Sequence, residues 1–244
     1  MAYQHLTVER PADQIALVKF NRPERANALH YAHLVEIEDV ALSFREDADT
    51  RVVIFSGTGK HFSSGADLKE LGDGPVPFVL RRRRNRIGER AIRALCEMDQ
   101  ITIAAWNGAA MGGGACIATA LDLRIGASDC FMQYPEIDLG MNLMWQSLPL
   151  CIHLVGPARA KRLVIGGERV FAPTLLQWGV LDECVPLPEL LPRALAVAAT
   201  YAAKPPIPAQ MIKRSVNALV WGADRATMHM DADQNLLTRR PDLD

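Results

Sequence analysis

Three consecutive glycines, Gly112 to Gly114, constrain the fold of this chain more than any other sequence feature. The apolar run 101–106 precedes them and small apolar residues follow at 115–121, which predicts a strand, a glycine turn and a buried helix. Because glycine has no Cβ, another molecule's carbonyl group can approach such a turn closely. The unpartnered N–H groups at the helix start would stabilise an oxygen that gains negative charge. A tight turn that only packs helix on strand is the alternative interpretation.

A second stretch upstream has the same organisation. The strand-like run 52–56 is followed by the small-residue segment 57–66, and a helix is predicted near 67–72. Two such turns can each direct one backbone N–H at the same carbonyl oxygen. That arrangement would form an oxyanion hole.

Four blocks, in this order, make the chain similar to the crotonase superfamily, the enoyl-CoA hydratases and isomerases. The resemblance covers roughly residues 5 to 222, and its motifs are Asn21-Arg22-Pro23 with Asn27-Ala28-Leu29, His61-Phe62-Ser63-Ser64-Gly65-Ala66-Asp67-Leu68, Asn107-Gly108 with Gly112-Gly113-Gly114, and Pro135-Glu136-Ile137 with Leu139-Gly140. It implies an α/β fold. Residues 1–190 would form a crotonase-like spiral core of ββα units, and residues 191–244 a C-terminal helical region for trimerisation and for a lid.

The resemblance also implies a site and a substrate. It assigns the oxyanion hole to the N–H groups of Ala66 and Gly113 and makes Glu136 the general acid and base. The substrate would be an acyl-CoA thioester, with no other tightly bound cofactor and no metal. The assembly would be a homotrimer or a hexamer built as a dimer of trimers. The substrate-binding residues that it implies are Arg25, Ala26, Ala66, Asp67, Leu68, Lys69 and Gly113.

The informative departure from the family pattern is Cys116, because hydratases carry a second glutamate at this position. A thiol does not readily replace a carboxylate that orients water, and a buried cysteine usually acts as a small apolar residue. A single glutamate above an oxyanion hole is sufficient to move a proton between two carbons of one enolate. We therefore expect 3,2-enoyl-CoA isomerisation with Glu136 as proton shuttle. Alternatives are 2-enoyl-CoA hydration, carbon–carbon hydrolysis or decarboxylation, and a non-catalytic acyl-CoA-binding paralogue.

Other residues near these motifs leave the alternatives open. Bulky Met144 and Trp145 stand where many relatives have a glycine-rich run, and would reshape the acyl pocket. Some relatives decarboxylate with a histidine and a tyrosine, for which His61 and Tyr134 are the candidates here, although both residues also suit structural roles. Asp138 would share the face of Glu136 if this segment were a strand.

Composition excludes several classes of partner. With 49% apolar residues, 23% charged residues and a net charge of -1, the chain has no general attraction to nucleic acid or acidic membranes. Its apolar runs are too short to span a bilayer, and the first ten residues lack a signal-peptide pattern. Five scattered cysteines without a CxxC pair argue against disulfides or zinc, so the expected location is cytoplasmic. The basic run 81–86 is interpreted as a solvated helix face, with phosphate contact or RNA binding as alternatives.

Hydrophobic periodicity and turn residues predict the remaining elements. The C-terminal part is mainly helical, and the last residues look too short for a complete closing helix. The expected strands are 3–9, 14–20, 123–127, 130–134 and 182–185, and the expected helices are 30–46, 143–154, 157–165, 173–178, 189–203 and 206–221.

Overall fold

The computed structural model describes residues 3–69, 76–224, 228 and 230–238, and its centre is a mostly parallel six-stranded sheet. The strand order is β1-β2-β3-β4-β6-β9; only the β1–β2 pair is antiparallel. The central strands β3 and β4 are mostly apolar and buried, as expected for parallel strands whose two faces are covered. The strands are β1 Leu6–Ala12, β2 Ile15–Phe20, β3 Val52–Gly57, β4 Ile101–Trp106, β6 Leu123–Ala127 and β9 Glu183–Val185.

A second, smaller sheet has the order β5-β7-β8 and lies beside the glycine turn. Its strands are β5 Ala109–Met111, β7 Phe131–Gln133 and β8 Val170–Phe171. An isolated bridge joins Ser63 to Ala110 at its edge, and another joins Leu29 to Ala66. The first bridge connects the loop after β3 to the strand that leads into the glycine turn, and the second connects the loops after β2 and β3 to each other.

The helices cover the sheet and build the C-terminal part of the chain. Between β7 and α5, residues Glu136–Leu139 form a 3-10 turn. The α-helices are α1 Tyr31–Ser43, α2 Phe78–Arg84, α3 Ile87–Cys96, α4 Gly113–Ala120, α5 Ser147–Val164, α6 Ala172–Gln177, α7 Leu190–Ala202, α8 Pro206–Trp221 and α9 Asp231–Thr238.

Large aromatic side chains fill the core beneath the two site loops. Phe20, Phe62 and Trp106 are fully buried and form a chain of ring contacts, with centroid separations of 5.1 Å and 6.3 Å. Burial of such side chains contributes roughly 1.5–3 kcal/mol each. Since Phe62 belongs to the loop after β3, this packing anchors the segment that carries Ala66.

The predicted fold class, a crotonase-like α/β core with a helical C-terminal region, is confirmed. Most element positions are also close to the predicted ones. The helix expected from residue 143 begins only at Ser147, because Trp145 and Gln146 adopt left-handed backbone conformations. Residues 67–69 form a loop and turn rather than a helix start, and residues 70–72 of that predicted helix lie outside the described residues.

Other local differences have equally local causes. The β1–β2 turn lies at Asp13-Gln14, because the strand continues through Pro11 and Ala12 with a register irregularity. The segment that contains the basic run 81–86 forms two helices, α2 and α3. The short strands β5 and β8 were not predicted from the sequence. A closing helix, α9, is present although the chain end looked short for one.

The C-terminal helix α8 presents an apolar surface to solvent. Ile212 is 64% exposed and Leu219 is 86% exposed. Its other side is fixed by Lys213, which donates to Asp122 Oδ2 at 2.6 Å and to Gln100 O at 2.7 Å. The domain division at residue 190 and the homotrimer stay predictions. Among the described helices, none has the length and apolar character needed to cross a membrane.

Candidate active site

In the loop after β3, the backbone N–H of Ala66 has no acceptor among the described residues. Leu29 N donates to Gly65 O at 2.8 Å and Asp67 N donates to Leu29 O at 2.9 Å, so the two residues that flank Ala66 are fixed. The N–H of Ala66 lies between them and donates to no other residue in the described part of the chain. Gly65 permits this geometry with a φ of +86°.

The glycine turn supplies a second free N–H. Gly112 N donates to Gln133 O at 2.9 Å, and Gly113 is the first residue of α4, so its N–H has no acceptor within the helix. A Cβ at Gly65 would lie 2.6 Å from Met111 O and 3.4 Å from Gly113 N. The two turns are therefore in contact, and the N–H donors of Ala66 and Gly113 belong to adjacent backbone segments.

Glu136 lies beside this pair of turns. It begins the 3-10 turn Glu136–Leu139, and a Cβ at Gly112 would lie 2.8 Å from its Oε1. The residue as a whole is half-buried, but its Oε2 atom is sealed from solvent and has no partner among the described residues. Burial raises the pKa of the Glu136 carboxyl to about 7. A carboxyl with this pKa can accept and return a proton near neutral pH.

A cavity of about 270 Å³ joins these groups. Ala66, Gly113 and Glu136 all line it, and most of the other lining side chains are apolar. The apolar part of the wall includes Leu68, Met111, Leu139, Leu143, Met144 and Trp145. The arrangement suits an apolar acyl chain whose carbonyl oxygen meets two N–H donors.

Trp145 forms part of the cavity wall and is fixed between two glycines. A Cβ at Gly88 would lie 1.9 Å from its Cε2, and a Cβ at Gly113 would lie 2.4 Å from its Cη2. Trp145 has a φ of +69° and the following Gln146 a φ of +56°. The side chain of Asp231 on α9 fixes this backbone, because its Oδ2 accepts from Gln146 N at 2.5 Å.

Cys116 lines the same cavity from α4 and is buried. Burial, followed by the nearby Glu136 carboxyl, raises the pKa of the Cys116 thiol well above its usual value. The side chain therefore stays a neutral thiol at physiological pH. It supplies neither a carboxylate to orient water nor a thiolate nucleophile.

The residues expected to bind substrate fall into two groups. Ala66, Leu68 and Gly113 line the cavity, whereas Arg25, Ala26, Asp67 and Lys69 do not. The Asp67 carboxylate forms an ion pair with Arg22 at 3.3 Å, and both side chains are about 10% exposed. Arg22 also donates to Ala28 O at 2.7 Å. The Asp67 side chain thus fixes the loop that carries Ala66.

Of the other side chains considered for chemistry, His61 and Tyr134 lie outside the cavity, whereas Asp138 lines it. His61 accepts from Ala109 N at 3.1 Å, and burial lowers its pKa. Tyr134 is fully buried in the core, and neither His61 nor Tyr134 lines the cavity. Asp138 belongs to the 3-10 turn rather than a strand, and its Oδ2 lies beside Gly167.

The arginine run is largely occupied by intramolecular contacts. Arg82 forms a bidentate ion pair with Asp233, in which Nε donates to Oδ1 and Nη2 to Oδ2, each at 2.7 Å. Arg84 lies over the Tyr31 ring. Arg86 pairs with the buried carboxylate of Glu89 at 3.1 Å. These contacts fit the interpretation as a solvated helix face and attach α9 to α2.

Sequence reasoning missed the contribution of α9 to the site. Asn235 of this helix lines the cavity, and Asp231 fixes the Trp145-Gln146 turn. Both side chains are buried although they stand in a polar, low-hydrophobicity segment near the chain end. The only sequence signal for this helix was the mixture of alanine, leucine and amide residues in the segment 231–238, which is compatible with a helix.

Comparisons with known proteins agree with this geometry. The family model described as enoyl-CoA hydratase/isomerase matches residues 10–242. A crotonyl-CoA hydratase from Syntrophomonas wolfei is 30% identical over 235 residues, which cover 96% of this chain and 89% of that protein.

Two solved structures illustrate the range of similar proteins. An enoyl-CoA hydratase/isomerase from Xanthobacter autotrophicus Py2 has a TM-score of 0.89 and 29% identity, covering 98% of this chain and 88% of that one. A monofunctional enoyl CoA isomerase from M. smegmatis has a TM-score of 0.77 and 28% identity, and the match covers 95% of this chain and 99% of that one. Hydratase is the more common name among the similar proteins.

Proposed function

This chain belongs to the enoyl-CoA hydratase/isomerase family, and from that premise we propose that it converts 3-enoyl-CoA thioesters into 2-enoyl-CoA thioesters. The observation that carries the proposal is one buried carboxyl, Glu136, beside two free N–H donors in a cavity whose other candidate acid position is the thiol of Cys116. Such a site has the groups that a proton shift requires, and a thiol stands at the position where hydratases carry their second glutamate. The Asp138 carboxyl also lines the cavity, but it belongs to an exposed residue of the 3-10 turn.

The mechanism begins with the thioester carbonyl oxygen accepting from Ala66 N–H and Gly113 N–H. These donors stabilise the negative charge that develops when a proton leaves the α carbon, each by roughly 3 kcal/mol. The Glu136 carboxylate takes that proton, and the electron pair spreads over a dienolate. The same carboxyl then returns the proton to the γ carbon, which leaves the double bond between the α and β carbons.

The Glu136 environment fits this shuttle. Its carboxyl must first accept a proton and then release it to carbon, so a pKa near the working pH serves both steps. The mainly apolar wall of the cavity and the burial of Glu136 Oε2 limit exchange of that proton with water. The wall also keeps the dienolate away from bulk solvent, where competing protonation would occur.

Hydratase names among the relatives favour the alternative of water addition. Against it stands the neutral thiol of Cys116, which cannot share with Glu136 the task of orienting a water molecule. Carbon–carbon hydrolysis or decarboxylation through His61 and Tyr134 is less favoured, since neither side chain lines the cavity. A binding-only paralogue would not need the raised pKa of Glu136.

The same proposal extends to substrate and assembly. Coenzyme A enters as part of the thioester, with no other tightly bound cofactor, and Arg25, Ala26, Asp67 and Lys69 would contact it outside the acyl cavity. The apolar surface of α8 suits a homotrimer or a dimer of trimers.

The deciding experiment is a paired assay of one purified sample with a 3-enoyl-CoA and a 2-enoyl-CoA of equal chain length. Conversion of the first without hydration of the second supports the isomerase. Rapid hydration of the second refutes it and means that another group replaces the absent carboxylate. Inactivity on both, with retained acyl-CoA binding, favours a different enolate reaction or a binding protein.

A further inference from the structure

The acyl cavity has an exposed mouth and a buried inner end. Among its apolar lining residues, Leu68 is 57% exposed and Leu139 is 48% exposed, whereas Leu143 and Trp145 are each 5% exposed. Cys116, which also lines the cavity, is buried as well. An acyl chain that enters from solvent therefore passes Leu68 and Leu139 and extends toward the end formed by the three buried side chains.

The indole of Trp145 fills the space between two helices at this inner end. The edge with Cη2 and Cζ3 lies so close to Gly113 of α4 that a Cβ there would overlap the ring. The part with Cε2 and Nε1 lies equally close to Gly88 of α3. Gly113 lines the cavity and Gly88 does not. The ring therefore separates the cavity from α3, and it forms the wall that a lengthening acyl chain meets.

The turn that carries Trp145 is held from two sides. The backbone N–H of the next residue, Gln146, donates to Asp231 Oδ2 on α9 at 2.5 Å. The side-chain Nε2 of Gln146 donates to Glu89 Oε1 on α3 at 3.3 Å. Both carboxylates belong to buried residues. The indole is thus packed between two glycines on a backbone that is attached to α3 and α9, so this wall does not readily yield to a ligand.

The volume of the cavity limits the ligand that fits in front of Trp145. At roughly 30 Å³ for each non-hydrogen group, about the share of one water molecule in the liquid, the cavity of about 270 Å³ holds about nine groups. The carbonyl oxygen and the sulfur of a thioester belong to these groups. The remaining space accommodates about six or seven carbon atoms.

We infer that Trp145 determines the length of the acyl chain and restricts the substrate to short-chain thioesters of about six carbons or fewer. This inference rests on the proposed use of the cavity for an acyl-CoA, and it defines the substrate class of that site. A longer chain has to displace the packed indole or leave its terminal methylene groups in water. In either case the additional methylene groups contribute no binding, because they bury no further apolar surface without strain.

Binding measurements with saturated ligands test the inference without turnover. Butyryl-, hexanoyl-, octanoyl- and decanoyl-CoA are titrated into the protein by calorimetry. Each buried methylene group increases affinity about fourfold, so the affinity of the wild type should rise about tenfold from butyryl- to hexanoyl-CoA and then stay level or fall. Trp145→Gly removes the indole and suits the φ of +69° at this position. This variant should bind decanoyl-CoA at least about tenfold more tightly than hexanoyl-CoA.

Two further variants complete the design. Trp145→Leu removes less of the side chain, so its affinity should rise as far as octanoyl-CoA and no further. Leu139→Ala is the control, because it shortens an apolar side chain at the exposed mouth of the same cavity and leaves the inner end intact. It should weaken all four ligands to a similar extent and keep the limit at hexanoyl-CoA.

A wild-type affinity that rises continuously to decanoyl-CoA overturns the inference, even if Trp145→Gly does not fold. An unchanged limit in a folded Trp145→Gly variant overturns it as well. These titrations involve no proton transfer, so inactivity in the paired assay would refute the proposed isomerisation and leave the length limit standing. Failure of all four acyl-CoA ligands to bind would overturn both.

Discussion

The carboxyl group of Glu136 lies against Gly112, the residue immediately before the predicted oxyanion donor Gly113. A side chain at Gly112 would begin 2.8 Å from Glu136 Oε1. The proposed proton shuttle and the turn of the proposed oxyanion hole thus share one contact, and the absence of a Cβ at Gly112 makes room for it. Gly112 also has a φ of +47°, a conformation that other residues rarely adopt.

Replacing Gly112 with alanine should therefore impair catalysis more than binding. The added methyl group displaces the Glu136 carboxyl, which is the movable end of a flexible side chain, while the positive φ adds roughly 1–2 kcal/mol of strain. We expect kcat to fall about a hundredfold with little change in the affinity for a saturated acyl-CoA. Steady-state kinetics and calorimetry check this, and an unchanged kcat would contradict the proposed position of Glu136.

Glu136 should determine the pH dependence of turnover. Its pKa is raised to about 7 by burial, and the base form starts the reaction, so kcat/KM should rise with pH and reach half of its plateau at about pH 7. Glu136→Gln should lower kcat about a thousandfold, as loss of a general base usually does, and leave acyl-CoA binding within threefold. Retained activity in this variant would exclude the single-base mechanism.

The same variant carries a stability signature. A carboxyl whose pKa is raised in the folded state destabilises the fold above that pKa, because the unfolded chain loses the proton more readily. The effect develops as pH rises from about 4.5 to about 7. The free energy of unfolding of Glu136→Gln, relative to that of the wild type, should therefore be roughly 2–3 kcal/mol more favourable at pH 8 than at pH 4. Urea titrations of both proteins at the two pH values measure this difference.

Cys116→Glu should introduce hydration. The new carboxyl would enter the cavity that Glu136 already lines, so two acids could hold and activate one water molecule. We expect the ratio of hydration to isomerisation to rise at least about tenfold. Cys116→Gln is the matched control, since glutamine is similar in size to glutamate and carries no charge. Equal ratios of hydration to isomerisation in the two variants would show that the shape of the rest of the cavity prevents water addition.

Gly88→Ala should destabilise the protein through Trp145. The new Cβ would lie 1.9 Å from the indole Cε2, and overpacking of this kind costs about 1–3 kcal/mol, more than the roughly 1 kcal/mol that alanine contributes to a helix. The double change Gly88→Ala with Trp145→Leu should lose less stability than the two single changes added together. Additive losses in thermal or urea unfolding would contradict the contact.

His33 should make the fold sensitive to acid. It is fully buried, and burial lowers its pKa to about 3, so the folded protein keeps the imidazole neutral while the unfolded chain protonates near pH 6.5. Its stability contribution is complete above pH 6.5 and is lost as pH falls, by roughly 3 kcal/mol at pH 4. His33→Gln should reduce this pH dependence in urea unfolding; an unchanged slope would refute the assignment.

The sequence alone predicted those parts of the protein that depend on local chemistry. Alternating apolar runs and glycine turns predicted the strands, the helix α4 and the two loops with free N–H groups. The resemblance to the family identified Glu136 as the candidate acid, and the absence of a glutamate at Cys116 led to the proposed isomerisation. The elements themselves follow from residues that are adjacent in the chain, where backbone freedom and periodicity act directly.

Only the tertiary structure decided what the distant segments contribute. The left-handed turn at Trp145, in a region predicted to be helical, depends on Asp231 and on space at Gly88. The raised pKa of Glu136 depends on the burial that the folded cavity imposes. Asn235 lines the cavity beside Glu136 because α9 packs against distant parts of the chain. These are long-range contacts, and neither periodicity nor composition encodes which remote side chains meet.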